Sequence, residues 1–268
     1  MLPLVLTGAM LLLDRAVRRW RRAGLPSGVV PTEVLRLAVI SILTHPILDT
    51  LNVYGVRWLM PFRDRWFYGD TLFIVDPWLW LVLGTGVVLS RPSRAAAERG
   101  GGTRAARVAL GVASAYVAGM LLLEIASRRI VRRELEDDGL QVERLMVTPR
   151  LVTPLIRQVV AAQGDVYQVA TFRWLERPHL DPRSRRILPR PRADDRAMAA
   201  ARATEVGKRF LGWARFPVVE VAAAPSGGSL LHLIDLRYAE RADAGFGSAT
   251  VEVSSPPSAF QPSPPAAR

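Results

Sequence analysis

The chain has 268 residues, of which 50% are hydrophobic, and its mean hydropathy of +0.16 is high for a water-soluble domain. Residues 1–133 carry 18 basic and 8 acidic side chains, whereas the remainder carries 18 and 16, so the net charge of +12 is concentrated around the apolar segments. This distribution indicates membrane-orientation signals and argues against nucleic-acid binding. Because the sequence contains no cysteine, disulfides, thiolate metal sites and cysteine nucleophiles are excluded.

Four apolar segments occupy the first half of the chain. The first, Met1–Leu13, is shorter than the roughly 20 residues that span a bilayer, so we expect a stub of a longer helix or a segment that does not fully cross. The other three are expected to span, at about residues 31–55, 71–89 and 105–126. The sequence therefore predicts an α-helical membrane domain with three to four transmembrane helices in residues 1–133.

Arginines between these segments indicate a topology. They are concentrated after the first segment and between the third and the fourth, and by the positive-inside rule both linkers are expected in the cytoplasm. The loop at 55–69 and the region after the fourth segment would then lie on the opposite side. Four arginines directly after the fourth segment point the other way: Arg128, Arg129, Arg132 and Arg133.

Residues 134–253 have the pattern of a small α+β domain with an antiparallel sheet. Two β-rich runs flank Gln163-Gly164-Asp165, which predicts a hairpin. Asp194 and Asp195 open a single predicted helix, and three strand-like runs separated by glycine and proline follow it. Residues 254–268 are rich in proline and serine and are predicted to be a disordered tail.

The most polar stretch between apolar segments is Thr44–Pro77. His45 and Asp49 are spaced i, i+4, so on a helix they share one face and could hold a divalent metal ion. Alternatively, the carboxylate orients the imidazole, or both residues serve packing alone. Pro46 adds a further alternative, in which His45 caps a helix that begins at the proline.

Further candidate residues lie toward the end of this stretch. Asp70 and Asp76 offer hard oxygen ligands that would complement the histidine in a zinc, manganese or magnesium site. Asp76 precedes a proline, so it is also a candidate N-cap of the next helix. Arg57 and its loop neighbours could bind a phosphate or carboxylate, or contact lipid headgroups. The two other histidines, His179 and His232, have no convergent partners and are interpreted as structural.

These residues resemble a known family. The H-x-x-x-D motif at His45, Tyr54-Gly55, Pro61-Phe62 and Asp76-Pro77 are similar to the YdjM-like family of bacterial inner-membrane proteins, described as LexA-binding, proposed metal-dependent hydrolases. The resemblance extends to Thr148-Pro149, Val166-Tyr167 and the run from FLGWARFPVVEV to LIDLRY. Family members also carry an upstream Asp-rich motif and an H-R-G-x-T-H-S-like motif, whereas no histidine precedes His45 here. The sequence would then either begin downstream of these motifs or lack part of the site.

The resemblance implies a multi-pass protein of the bacterial inner membrane that uses a divalent metal for hydrolysis. His45, Asp49 and Asp70 would be metal ligands, and Asp70, Asp76 and Arg57 would be catalytic, as general base or as a partner of developing negative charge. The alternative is a non-catalytic interaction protein whose C-terminal domain docks a protein partner. A transporter is disfavoured because the segments show no internal repeat.

Overall fold

The computed structural model describes residues 2–21, 30–90, 103–175, 177–192, 194–238 and 245–260. The chain divides into two compact units, residues 1–69 and 70–268. The predicted arginine-rich linker between the third and fourth segments lies mostly outside the described residues, as do residues 261–268 of the predicted disordered tail.

The first unit contains helices α1 (Leu2–Arg21) and α2 (Pro31–Thr50). α2 continues through His45 and Pro46, so the alternative in which His45 caps a helix beginning at Pro46 is wrong. Pro46 lies inside a helix of 20 residues, so the continuous helix on both sides overrides the extended preference of a residue before proline. The Thr50 hydroxyl donates to the Pro46 carbonyl at 2.7 Å near the end of the helix.

The loop that follows α2 is held by local contacts. Val56 and Phe67 form an antiparallel bridge, each donating its N–H to the other's carbonyl at 2.9 Å. The indole N–H of Trp58 donates to the Thr50 hydroxyl at 2.7 Å. The loop is therefore fixed both to itself and to the last residue of α2.

The second unit begins with a helical hairpin, α3 (Pro77–Leu89) and α4 (Thr103–Asp137). α3 starts six residues later than the predicted segment and is about 20 Å long, less than the hydrocarbon core of about 30 Å. α4 is about 52 Å long and extends well beyond such a core. It also continues past the predicted domain boundary at residue 133.

Two helices among the described residues are long and apolar enough to cross a bilayer, at Pro31–Thr50 and Arg104–Asp137. α3 is apolar but shorter. α1 is long enough, but its second half carries many charges, at Asp14, Arg15, Arg18, Arg19 and Arg21. An N-terminal helical region followed by an antiparallel-sheet region is therefore confirmed, whereas three to four crossings remain a prediction.

After α4 the chain forms two antiparallel sheets where the sequence predicted one. The first contains β1 (Arg144–Arg150), β2 (Thr153–Gln163), β3 (Val166–Arg173), β4 (His179–Leu180) and β5 (Arg186–Pro189). The second contains β6 (Pro217–Ala223), β7 (Ser229–Asp235) and β8 (Ser248–Val253). Gln163 pairs with Val166, so the predicted hairpin is confirmed.

The first sheet is packed on both faces. Val131 and Leu135 of α4 are buried against one face, in a cluster that includes Phe172 of β3. On the opposite face, the ring of Tyr167 meets that of Phe216 edge to face at 5.8 Å, immediately before β6. The membrane-type helix α4 is thus part of the hydrophobic core of the sheet domain.

The single helix predicted after Asp194 and Asp195 is two helices, α5 (Arg196–Ala203) and α6 (Glu205–Trp213). Thr204 separates them because its hydroxyl accepts a hydrogen bond from the Gly207 N–H at 3.0 Å, which caps α6. Gly207 is needed at this break, since a Cβ there would lie 1.9 Å from the Ala201 carbonyl oxygen.

We expect Gly207→Ala to destabilise the protein by about 1–3 kcal/mol, because the added methyl group meets backbone that cannot move away cheaply. Gly212→Ala on the same helix is the matched control, because a Cβ at Gly212 has nothing within 4 Å. The control should be stabilising by up to about 1 kcal/mol, through helix propensity. Thermal unfolding of the full chain in detergent measures both; equal melting temperatures would contradict the role given to Gly207.

Candidate functional site

His45 and Asp49 lie one turn apart on α2 and their side chains meet. His45 Nε2 is 3.2 Å from Asp49 Oδ2, with the imidazole 77% exposed and the carboxylate 26% exposed. The other carboxylate oxygen, Oδ1, accepts a short hydrogen bond from the Tyr54 hydroxyl. Asn52 donates in turn to the Tyr54 hydroxyl at 3.3 Å. The carboxylate is therefore held from one side while its second oxygen faces the histidine.

Tyr54 is the residue of this cluster whose role the sequence did not reveal. Burial, which is the largest cause, and the hydrogen bond to Asp49 together raise the pKa of Tyr54 from 10.0 to about 12. The hydroxyl therefore stays protonated, and remains a donor to Asp49, throughout the neutral and mildly alkaline range.

Asp70 is fully buried and is bound by two arginines. Arg215 Nη1 lies 2.7 Å from Oδ1 and 3.0 Å from Oδ2, and Arg128 Nη2 lies 3.0 Å from Oδ2. Both arginines also donate to the Leu145 carbonyl, at 3.1 and 3.0 Å, and Arg128 pairs with Glu124 at 2.6 Å. A metal ion at Asp70 would have to displace these arginines, so this part of the predicted site remains a prediction.

Asp76 is the N-cap of α3. Its Oδ1 accepts hydrogen bonds from the backbone N–H groups of Trp78 and Leu79, at 3.0 and 3.1 Å. Its Oδ2 accepts from the Tyr116 hydroxyl on α4 at 2.9 Å. The capping role that the Asp-Pro pair predicts is confirmed, and the carboxylate also connects the two helices of the hairpin.

Arg57 lies on the loop after α2, with its guanidinium 4.9 Å from the centre of the Trp66 ring. Its Nη1 is 3.1 Å from Asp64 Oδ1, and the arginine side chain is 41% exposed. An exposed pair of this kind contributes little to stability. The guanidinium is thus positioned by the ring and remains accessible to an anion.

Arg157, on β2, is a buried charge that the sequence analysis missed. Its Nη2 lies 3.4 Å from the Met120 carbonyl of α4, and its Nε and Nη1 have no hydrogen-bond partner among the described residues. Burial lowers the pKa of Arg157 to about 10. A sequence signal existed, because this arginine is the only charged residue in the run LVTPLIRQVVAA, but the run alone does not show which element it faces.

His45 and Asp49 offer two ligand atoms to a divalent ion, so most of the ligands of such an ion would have to come from water or substrate. Within the part of the chain that the structure describes, no group of three or more His, Cys, Asp or Glu side chains could hold a metal ion. A catalytic zinc site normally has three protein ligands, so two donors do not make one. The pair supplies one imidazole and one carboxylate, so water and substrate oxygens would have to complete the coordination of a zinc, manganese or magnesium ion.

The apolar helices and the polar groups at their ends define the class as a helical membrane protein. Residues 1–129 match the model of the family described as YdjM inner membrane protein. The resemblance seen in Thr44–Pro77 is thereby confirmed, and the match supports an inner-membrane location and contact with the bilayer. The resemblance inferred beyond residue 129 remains a prediction. No curated protein and no solved structure matches the chain.

We expect Asp70→Asn to destabilise the protein by about 3–5 kcal/mol, because two arginines would lose their buried carboxylate. Asp64→Asn removes the same charge from the exposed pair with Arg57 and should cost no more than about 1 kcal/mol. Chemical unfolding in detergent compares the two variants. If Asp70→Asn is as stable as Asp64→Asn, the ion cluster does not hold the second unit together.

The raised pKa of Tyr54 makes a pH-dependent prediction. Because the folded state favours the protonated phenol, this group stabilises the fold fully below pH 10.0, and the contribution is lost as the pH rises through about 12. Ultraviolet difference titration of wild type against Tyr54→Phe isolates this ionisation. Asp49→Asn should move the pKa part of the way back, since burial is the larger cause. A Tyr54 that titrates at its ordinary value would show that the cluster does not form.

Proposed function

We propose that this protein is a membrane-bound, metal-dependent hydrolase of the inner membrane, in which His45 and Asp49 hold a divalent ion. The observation that carries the proposal is the contact between His45 Nε2 and Asp49 Oδ2 at 3.2 Å on one helix face. The family match of residues 1–129 supports the inner-membrane location. A divalent ion bound by this pair would supply an activated water at neutral pH.

Each nearby residue has a definite task in this proposal. Tyr54 holds Asp49 Oδ1, so that Oδ2 points toward His45 and the two donor atoms stay together. Arg57, exposed on the loop after the helix, would pair with an anionic group of the substrate. The site lies at the end of an apolar helix, so we infer a lipid-like or phosphorylated substrate at the bilayer surface.

The predicted catalytic roles of Asp70 and Asp76 require each carboxylate to leave its present partners. For Asp70 these are Arg128 and Arg215, and for Asp76 they are the N–H groups of α3 and the Tyr116 hydroxyl. The proposal therefore places metal binding on His45 and Asp49. A zinc, manganese or magnesium ion held by this pair would be completed by water and substrate oxygens.

A second candidate function is that of a non-catalytic inner-membrane protein whose C-terminal domain docks a protein partner. The observation in its favour is an aromatic cluster with an exposed member: Phe246 is 67% exposed, and its ring meets Trp213 and Tyr238 edge to face at 6.0 and 4.9 Å. Exposed aromatic side chains on a rigid base are typical of interaction surfaces.

Metal content separates the two candidates. The hydrolase proposal predicts that purified protein binds a stoichiometric divalent ion, which His45→Ala and Asp49→Ala abolish because each removes one of two donors. His232→Ala is the matched control, since that imidazole lies on β7 of the sheet domain, where its Nδ1 is 3.0 Å from the Thr250 hydroxyl. Elemental analysis and manganese titration followed by electron paramagnetic resonance measure the binding.

A further variant tests the positioning of Asp49. Tyr54→Phe keeps both donors and is expected to weaken metal affinity by about 10-fold, because the carboxylate loses the hydroxyl that orients it. Metal-free wild-type protein whose thermal stability is unchanged by a chelator would refute the hydrolase proposal. That result would leave the docking function as the better account.

A further inference from the structure

A groove of about 580 Å³ runs between the two helices of the hairpin α3–α4. The helices touch beside it, because a Cβ on Gly86 would lie 2.3 Å from the Ala109 Cβ. Its lining is almost entirely apolar and comes from both helices: Leu81, Val82, Thr85, Gly86, Leu89, Arg104, Ala105, Val108, Ala109 and Val112. A groove of this composition in a membrane helix pair suits a hydrocarbon chain better than water.

The charged residue of the lining lies at one end of the groove. Arg104 is in the first turn of α4, and Leu89, the last residue of α3, lines the same end. This is the end of the hairpin away from the first sheet, since the sheet packs against the C-terminal half of α4. The linker at this end is arginine-rich, which predicts the cytoplasmic face, where anionic lipids are abundant.

Arg104 is also available for a ligand. It is exposed, and no hydrogen bond or ion pair to another described residue occupies it. Basic pockets between transmembrane helices on the cytoplasmic side bind the headgroups of anionic lipids. A phosphate placed against Arg104 would also meet the first turn of α4, where the helix end favours negative charge.

We propose that the groove between α3 and α4 binds one anionic phospholipid, with the lipid phosphate paired to Arg104 and one acyl chain lying along the apolar lining. This assignment is independent of the proposed hydrolase activity, because it involves neither His45 nor Asp49. It adds a specific lipid to the general contact with the bilayer.

Native mass spectrometry of the full chain in detergent tests the proposal, after incubation with an equimolar mixture of phosphatidylglycerol and phosphatidylcholine. We expect one retained phosphatidylglycerol per chain. Arg104→Gln should reduce its retention about fivefold, the effect of removing one arginine near the membrane surface. Arg107→Gln is the matched control: it removes the same charge one turn further along α4, outside the groove lining.

A second variant tests the apolar part of the groove. Thr85→Phe places a ring in the groove from an exposed position of α3, so the fold is not at risk, and retention of both lipids should fall. Equal retention of the two lipids by wild type, or equal effects of Arg104→Gln and Arg107→Gln, would overturn the proposal. Unchanged retention in Thr85→Phe would also overturn it, because the acyl chain would then lie elsewhere.

Discussion

The second unit depends on one buried carboxylate. Asp70 has no exposed surface, and its charge is stabilised by Arg128 on α4 and Arg215 between α6 and β6. Burying an ion costs several kcal/mol unless it is paired and hydrogen bonded. Asp70 can therefore be buried in the folded state only when both arginines are in contact with it. The shared Leu145 carbonyl fixes both arginines to β1 as well. One side chain thus constrains the start of the helical hairpin, the long helix and both sheets.

This cluster also distinguishes two kinds of carboxylate in the polar stretch. Asp70 and Asp76 are buried, and their oxygens are engaged by arginines in one case and by backbone and tyrosine donors in the other. Asp49 is different, because one oxygen is held by Tyr54 while the other faces the exposed His45. In a carboxylate with a structural role, both oxygens accept hydrogen bonds from the protein. A carboxylate that binds a ligand needs one oxygen that the ligand can reach. The contrast explains why our proposal rests on the pair at the end of α2.

The sequence predicted local features well and long-range pairing poorly. The hairpin at Gln163 and the N-cap at Asp76 follow from short motifs, because their hydrogen bonds join residues a few positions apart. The break at Thr204 was missed, because the sequence analysis predicted one continuous helix across it. The pairing of Asp70 with Arg215 could not be predicted, because nothing near either residue indicates a partner 145 positions away.

The separation along the sequence between Asp70 and its two arginines has a consequence for the order in which the protein assembles. Arg128 is 58 residues downstream of Asp70 and Arg215 is 145 residues downstream, so the two arginines are synthesised at different times. The hairpin α3–α4 is synthesised when only the first arginine exists, so the Asp70 carboxylate then has one of its two partners. The second arginine arrives after the first sheet and α5–α6 have been made. Assembly around Asp70 is therefore completed by the C-terminal domain, and a chain truncated before Arg215 would leave this carboxylate with one arginine.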